Sequence, residues 1–263
     1  IPKEYNNIIK TIEKQGKSFI ISGKHTNMSE EKKKRIRRTK SGITEDIRKA
    51  AIEQILKRGF SSSLVTEIIK TAKIEPPVFY HRYKDLDEFY SEFVKGYDYW
   101  FSDIVYDATQ KSDDPKTQFL TLIKGLLDTL KGESVMQELL RWEVAETNDT
   151  TRKTATLREM FTLPMTEKYK ALFSDTKIDF VAFASIMISG IYYLNLHRRC
   201  STFCGIDMNK EEDVERINQT IRTMTEVAFS FLDKKDAMQE AAERMRAKGI
   251  DEQTIRECLM TES

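Results

Sequence analysis

Residues 44–89 read TEDIRKAAIEQILKRGFSSSLVTEIIKTAKIEPPVFYHRYKDLDEF, and this stretch decides the fold. Apolar residues recur at helical spacing in its first part, which closes with two basic residues and a glycine. We therefore predict a first helix that is capped by Thr44 and ends at Gly59. Three serines, residues 61–63, can cap a second helix that runs to about Ala72.

A third, short helix is predicted after a break of a few residues. Pro76 and Pro77 open it, because proline is tolerated in the first helical turn, where its missing N–H would have no partner. We predict that it continues through Tyr83, with Val78 and Phe79 as further apolar anchors. Two bracing helices, a tight turn and a short third helix with one polar side are the plan of a helix-turn-helix unit, whose third helix enters a major groove.

The remaining sequence predicts one helix after another, so the expected fold class is all-α, with a three-helix head and a larger helical body. Only 10 Gly and 5 Pro occur in 263 residues, which is typical of helical proteins. We expect a kink or break at Pro164. The most apolar stretch, residues 180–196, contains several polar residues and a glycine and is interpreted as a buried helix rather than a membrane span. The predicted helices after the head are 85–108, 115–131, 134–146, 154–173, 178–199 and 210–232.

Charge is divided unevenly along the chain. Residues 1–84 hold 20 Lys and Arg against 9 Asp and Glu, a net charge of +11, whereas residues 85–263 carry −10. A basic first third attracts a polyanion such as nucleic acid, although acidic lipid would be attracted equally. Residues 29–40 read SEEKKKRIRRTK, and this run is either a solvated tail or an arm that contacts phosphates or a minor groove. Met28 could start translation, in which case residues 1–27 would be upstream sequence.

At residues 44–89 the sequence resembles the TetR (tetracycline-repressor) family of transcription regulators. The resemblance covers about 50 residues, in which several anchor types fall in the family's order and spacing. Lys73 departs from it at a turn position usually held by glycine, so this lysine must adopt a positive φ or change the turn. Leu86 replaces a lysine common in the family, and the two prolines remove amides that could bind phosphate. The matching residues are Gly59–Phe60, Ser62–Ser63, Val65-Thr66-Glu67-Ile68, Ala72, Phe79–Tyr80, Tyr83 and Asp87-Glu88-Phe89.

The resemblance implies four segments. They are a basic, flexible extension (1–40), the helix-turn-helix DNA-binding domain (41–88), a helical ligand-binding and dimerisation domain (89–233) and a charged C-terminal helical tail (234–263). It also implies a homodimer, in which helices 178–199 and 210–232 form the interface; the alternative is that their apolar faces are only core.

The resemblance also assigns site residues. Those that would bind phosphates and fix register are Ser62, Ser63, Tyr80 and Lys84. Those that would face base edges are Pro77, Val78, His81 and Arg82. The alternative is that Tyr80 is only a core aromatic and His81 only a surface residue.

A pocket for a small, mostly apolar effector is expected in the body, although its candidate residues could equally be ordinary core. Those candidates are Trp100, Trp142, Phe161, Met187 and Tyr192. Arg141 and Glu143, beside the second tryptophan, would be either a polar handle in this pocket or a surface pair, and the surface pair is favoured.

The sequence contains no motif of a known catalytic site. It has no glycine-rich phosphate loop, no G-x-S-x-G and no H-E-x-x-H, so we expect neither an enzyme nor a cofactor. His197, Cys200 and Cys204 have a spacing that a metal site could use, but without a clear fourth ligand the thiols are expected to be free and buried. Three cysteines and no signal-peptide pattern predict the reducing cytoplasm, with no membrane partner.

Two functional hypotheses remain from different classes. The first is a sequence-specific, operator-binding transcription regulator, a repressor released by a small molecule. The second is a helical interaction protein that keeps the regulator fold but binds operator DNA weakly or not at all, which Lys73, Leu86 and the two prolines favour.

Overall fold

The computed structural model of the protein describes residues 39–260, and they are all-α, as predicted. Residues 1–38 and 261–263 lie outside the described part, and with them most of the predicted basic extension. Within residues 39–260 there are eleven α-helices and one 3-10 helix. The α-helices are α1 (Lys40–Arg58), α2 (Val65–Thr71), α3 (Pro76–Tyr80), α4 (Leu86–Phe93), α5 (Trp100–Lys111), α6 (Pro115–Gly132), α7 (Ser134–Ala145), α8 (Asp149–Leu172), α9 (Phe180–His197), α10 (Glu211–Ala247) and α11 (Glu252–Met260).

The first helix begins earlier than its sequence predicts. It begins at Lys40, and Thr44 lies in its second turn, where the hydroxyl donates to the Lys40 carbonyl at 3.2 Å. The prediction that Thr44 is the N-cap is therefore wrong. Gly59 ends the helix as predicted, since it adopts a φ of +80°, which only glycine reaches without strain, and its N–H donates to the Ile55 carbonyl at 2.7 Å.

The third helix has the predicted start and a different end. Pro76 and Pro77 occupy its first two positions, and the α-helix stops at Tyr80, three residues before the predicted Tyr83. Residues 81–83 continue as a turn, in which the Tyr83 N–H donates to the Phe79 carbonyl at 3.0 Å. Phe79 is fully buried, and its ring lies 5.8 Å from that of Phe89 on α4. This apolar contact fixes the orientation of α3 on the head.

The predicted helix 85–108 is divided in two, which corrects the sequence prediction. A 3-10 helix, Val94–Tyr97, follows α4, and α5 begins only at Trp100. Gly96 lies in this break, where a residue of low helix propensity weakens an α-helix. The helical hydrogen-bond pattern of this region is therefore interrupted between α4 and α5.

Pro164 neither ends α8 nor divides it, so the predicted break is wrong. The helix runs without interruption over 24 residues. Pro164 and Met160, whose carbonyl loses its helical N–H donor, are both exposed. Solvent can therefore satisfy that carbonyl, which lowers the penalty of an internal proline.

The predicted end of a helix at residue 232 is also wrong. The helix α10 continues for 37 residues to Ala247, because no glycine or proline occurs in it before Gly249, which adopts a φ of +78°. A short helix, α11, then packs back on α10 and buries Ile255. The charged tail is thus the end of a long helix together with a second helix that packs on it.

The apolar helix α9 is buried on one face only. Its buried residues are Phe180, Met187, Ile191 and Asn195. By length and composition it is the one helix within residues 39–260 that could cross a membrane, a test that core helices also pass. The sequence prediction of a buried helix therefore holds for one face, and the other face lies exposed.

Candidate nucleic-acid interface and effector cavity

Seven of the eight predicted DNA-binding residues reach the surface of the head. Pro77, Tyr80, His81 and Lys84 are exposed, and Val78 is half-buried. They belong to α3 and the turn after it, on the side away from the buried Phe79. The other two are Ser62, which is exposed, and Arg82, which is half-buried.

Ser63 is the exception. Its exposed fraction is 2%, and its hydroxyl donates to the Gly59 carbonyl at 2.7 Å. It closes the turn between α1 and α2 instead of capping α2, whose N-cap residue Leu64 makes no side-chain hydrogen bond. The structure therefore does not bring the Ser63 side chain to the surface that would face phosphate.

Arg82 is engaged within the head. Its Nη1 donates to the Val78 carbonyl at 2.7 Å, one turn earlier on the same helix. Contact with a guanine edge would require this bond to open. Lys84 is far more available, since its side chain is 87% exposed and its only ion pair within residues 39–260, to Asp85, spans 3.9 Å.

Lys73 adopts the positive φ that the sequence left as one of two outcomes. Its φ is 53°, in the turn between α2 and α3. A side chain in the left-handed region costs about 1–2 kcal/mol, whereas glycine pays little there. The turn of the helix-turn-helix unit is thus formed at the cost of backbone strain at this lysine.

We expect Lys73→Gly to raise the free energy of unfolding by roughly 0.5–1 kcal/mol, because relief of strain exceeds the extra freedom of glycine in the unfolded chain. Urea denaturation measures this change. Lys70→Gly, in the last turn of α2, is the matched control and should lower the same free energy by up to about 1 kcal/mol. Equal destabilisation by both substitutions would contradict the strain argument.

The head and the body meet at a stacked aromatic pair. The rings of Phe60, after α1, and Trp142, on α7, lie 4.8 Å apart with an interplanar angle of 4°. Tyr90 of α4 meets the same tryptophan edge-on at 5.6 Å. The structure thus places Trp142 at the junction of head and body, and not in a ligand cavity.

The helix α7 also holds ion pairs on two further sides. Arg141 donates to Glu138 at 2.6 Å and to the Leu196 carbonyl at the end of α9 at 2.7 Å. Glu143 pairs with Arg158 of α8. Residues two apart on a helix point to different sides, so Arg141 and Glu143 cannot pair with each other, and the predicted surface pair is wrong.

A cavity of about 360 Å³ lies among α5, α6, α8 and α9. Of the five predicted pocket residues, Tyr192 lines it. Trp100 lines a different, more polar groove of about 750 Å³ along α5 and α6, and Trp142, Phe161 and Met187 line neither space. The structure therefore does not bring the five residues together.

Sequence reasoning missed Arg158, the buried cation of this cavity. Its side chain is 12% exposed and that of its partner Glu143 is 11% exposed. The sequence signal for a cavity was a stripe on each of α8 and α9, in which small, polar and apolar residues recur at spacings of three and four. The stripe on α8 is Ala155, Arg158, Glu159, Thr162, Met165, Thr166 and Tyr169, and that on α9 is Val181, Ala184, Ser185, Ile188, Ser189 and Tyr192.

Burial is the main cause of the pKa shifts of the ionisable groups in and next to the cavity. It raises the pKa of Tyr192 to about 12, although the Arg158 charge opposes the shift. It also raises the pKa of the Glu143 carboxyl, against the same cation. Asp98, in the break between α4 and α5, likewise has a pKa raised by burial, and within residues 39–260 its buried Oδ1 has no hydrogen-bond partner.

Large apolar side chains lie exposed on α9 and α10. The exposed fraction is 73% for Ile186, 49% for Tyr193, 43% for Met224 and 57% for Val227. The two helices meet through the rings of Phe180 and Phe229, whose centroids lie 5.3 Å apart. An apolar surface of this kind on neighbouring helices is typical of a protein–protein interface.

The cysteines are free but not buried, which corrects the sequence prediction. Cys200, Cys204 and Cys258 are all exposed. His197 stacks on Tyr193, with ring centroids 5.1 Å apart. In the described part of the chain, no three His, Cys, Asp or Glu side chains are grouped as metal ligands would be.

Comparison with solved structures shows the fold: the chain is folded like TetR-type transcriptional regulators, with a helix-turn-helix head and a helical body. A TetR-like regulator from Rhodococcus sp. RHA1 superimposes with a TM-score of 0.54 at 17% identity, covering 72% of this chain and 97% of that one. The fatty acid degradation regulator FadR of Bacillus halodurans gives 0.51 at 14% identity, covering 68% and 97%. A TetR family regulator from Marinobacter aquaeolei VT8 gives 0.50 at 16% identity, covering 69% and 94%.

The sequence comparisons find no counterpart. No family sequence profile matches the chain, and no curated protein matches it. The likeness is thus one of fold, which confirms the fold that the resemblance implied.

Proposed function

We propose that the protein is a cytoplasmic, sequence-specific DNA-binding transcription regulator, a repressor that a small molecule releases. The observation that carries this proposal is the position of α3. Its apolar side is fixed by the fully buried Phe79, while Tyr80, His81 and Lys84 face outwards beside it. A short helix held in one orientation with donors on its free side suits insertion into a major groove.

Selection of bound DNA from a random pool tests the proposal. We expect a two-fold symmetric consensus, because a dimer presents two heads to half-sites about one helical turn apart. The affinity for the selected site should fall steeply with salt, since phosphate contacts release counterions. Recovery of unrelated sequences after repeated rounds would contradict the proposal.

We expect Tyr80→Phe to weaken binding about tenfold on selected and unrelated DNA alike, because one hydrogen bond to a charged phosphate is lost. The ring of Tyr80 is half exposed and packs at 82° on Phe79, so the substitution keeps its packing. A gel-shift titration measures the affinity. Tyr106→Phe, at a tyrosine that is 65% exposed on α5, is the matched control and should leave it unchanged. An unchanged affinity in Tyr80→Phe would remove this residue from the interface.

We further propose that residues 41–88 form the DNA-binding domain and residues 89–233 the effector-binding and dimerisation domain. The exposed apolar residues of α9 and α10 support a homodimer through these helices. The cavity among α5, α6, α8 and α9 is where we place the effector. The helix α7 would relay its binding, because Glu143 pairs with a cavity residue and Trp142 stacks on the head.

One observation favours the second candidate, an interaction protein with weak operator binding. Pro76 and Pro77 occupy the start of α3 and offer no N–H to phosphate at that helix end. The random-pool selection separates the two candidate functions, since an interaction protein with weak operator binding would enrich no consensus sequence.

A further inference from the structure

The walls of the cavity among α5, α6, α8 and α9 are largely apolar, with several aromatic rings. They include Phe101, Phe119, Phe180 and Tyr169. The hydroxyl of Tyr169 is already engaged, since it donates to the Pro115 carbonyl at 2.7 Å. Burial of a ligand's apolar surface against such walls favours binding, and the walls offer the ligand few hydrogen bonds.

Three of the six hydroxyls that line the cavity donate their protons to carbonyls of their own helices. Ser185 donates to the Val181 carbonyl at 2.8 Å, Ser189 to the Ser185 carbonyl at 2.7 Å, and Thr162 to the Glu159 carbonyl at 2.8 Å. Each therefore offers a ligand only an acceptor oxygen. The hydroxyls of Thr166 and Tyr192 have no hydrogen bond to any residue in the described part of the chain.

The Arg158 guanidinium is the strongest donor in the cavity, and it is only partly used. Its Nη2 donates to the Glu143 carboxylate, while within residues 39–260 its Nε and Nη1 have no hydrogen-bond partner. A guanidinium has five N–H donors in a planar arrangement that matches a carboxylate. Arg158 can therefore hold a second anion beside Glu143.

The acidic groups nearby do not reverse this preference. Arg158 lines the cavity, whereas Glu143 and Asp98 are not among its lining residues. Glu159 does line it, but its side chain is exposed and its charge is solvated. A cationic ligand would bring its charge towards Arg158 without reaching a buried carboxylate.

We propose that the cavity binds an apolar molecule that carries one carboxylate, with the Arg158 guanidinium and the Tyr192 hydroxyl as the donors to that group. The inference rests on the effector-binding part of the proposed function and specifies its ligand class. Glu143 is the ligand's competitor, because both anions use the same guanidinium. Binding would therefore loosen the Glu143–Arg158 pair, which ties α7 to α8.

Three probes of one shape test the ligand class on the full chain without DNA. They are phenylbutyrate, phenylbutanol and phenylbutylamine, and isothermal titration calorimetry measures their affinities. We expect the carboxylate to bind at least about tenfold more tightly than the alcohol or the amine, because its hydrogen bonds to the cation are charge-assisted. Equal affinities, a preference for the amine, or no binding of any probe would overturn the proposal.

Two variants locate the preference at Arg158. Glu143→Gln removes the competing anion and should raise the affinity for phenylbutyrate several-fold without changing that for phenylbutanol. Glu143→Gln with Arg158→Met should abolish the preference for the carboxylate. Arg152→Met, at an exposed arginine on the same helix, is the matched control and should behave as the unchanged protein.

The single variant Glu143→Gln retains Arg158, so the test does not depend on the double variant folding. An unchanged or lower affinity of Glu143→Gln for phenylbutyrate, or a carboxylate preference that survives in the folded double variant, would overturn the role of Arg158. DNA selection is measured separately. A protein that selects a consensus but shows no preference loses this inference alone, and one with the preference but no consensus loses the proposed regulator function alone.

Discussion

Aspartate at both Ile186 and Val227 should convert a dimer into a monomer that no longer binds its operator. The two side chains are 73% and 57% exposed on α9 and α10, the helices that we propose to pair between subunits. In a symmetric dimer the double variant would place four carboxylates in an apolar interface, each without a partner and at a cost of several kcal/mol. The dissociation constant of the dimer should therefore rise at least about a thousandfold.

Sedimentation velocity at micromolar concentration measures the association, and a gel shift measures operator binding. Operator binding should fail with dimerisation, since a single head contacts only one half-site. Val144→Asp is the matched control, because Val144 is 84% exposed on α7, which is not one of the two helices proposed to pair, and this variant should remain a dimer that binds DNA. A monomeric unchanged protein, or a double variant that stays dimeric, would contradict the proposed interface.

Short-range sequence signals, each carried by one or two neighbouring residues, predicted the helix-turn-helix head well. Gly59 and the two prolines fix where helices end and begin through their own backbone chemistry, so their positions follow from sequence. The caps were harder to predict. Thr44 and Ser63 are both good N-cap residues, yet each donates its hydroxyl to a carbonyl four residues earlier. Which amide is left without a partner depends on where the helix begins, and that is set by packing.

The cavity could not be predicted in the same way. Helical periodicity shows which side of a helix is apolar, but the neighbour that covers that side is set by tertiary packing. Trp142 satisfies the pattern whether it lines a cavity or stacks on Phe60, and the structure shows the second. Arg158 carries no sign of burial in its local sequence, because its partner Glu143 is 15 residues away on another helix. Only the paired stripes on α8 and α9 would have indicated a space between them.

Arg158→Met should lower the free energy of unfolding by about 3–5 kcal/mol near pH 7, because it leaves the largely buried Glu143 carboxylate without its cation, with the Thr154 hydroxyl still donating to it. Burial already raises the pKa of Glu143, and removal of the cation raises it further. A carboxyl whose pKa is higher in the folded than in the unfolded protein binds protons more tightly when folded. The stability of the variant therefore falls as the pH rises from the unfolded pKa to the folded one. The deficit measured by urea denaturation should thus be smaller near pH 5 than near pH 7.

The double variant Glu143→Gln with Arg158→Met should recover most of the lost stability, since no charge is left unpaired. The control Arg152→Met should change the stability by less than about 0.5 kcal/mol. A deficit that stays equal at both pH values, or persists in the double variant, would mean that Arg158 stabilises the fold through packing and not through its charge.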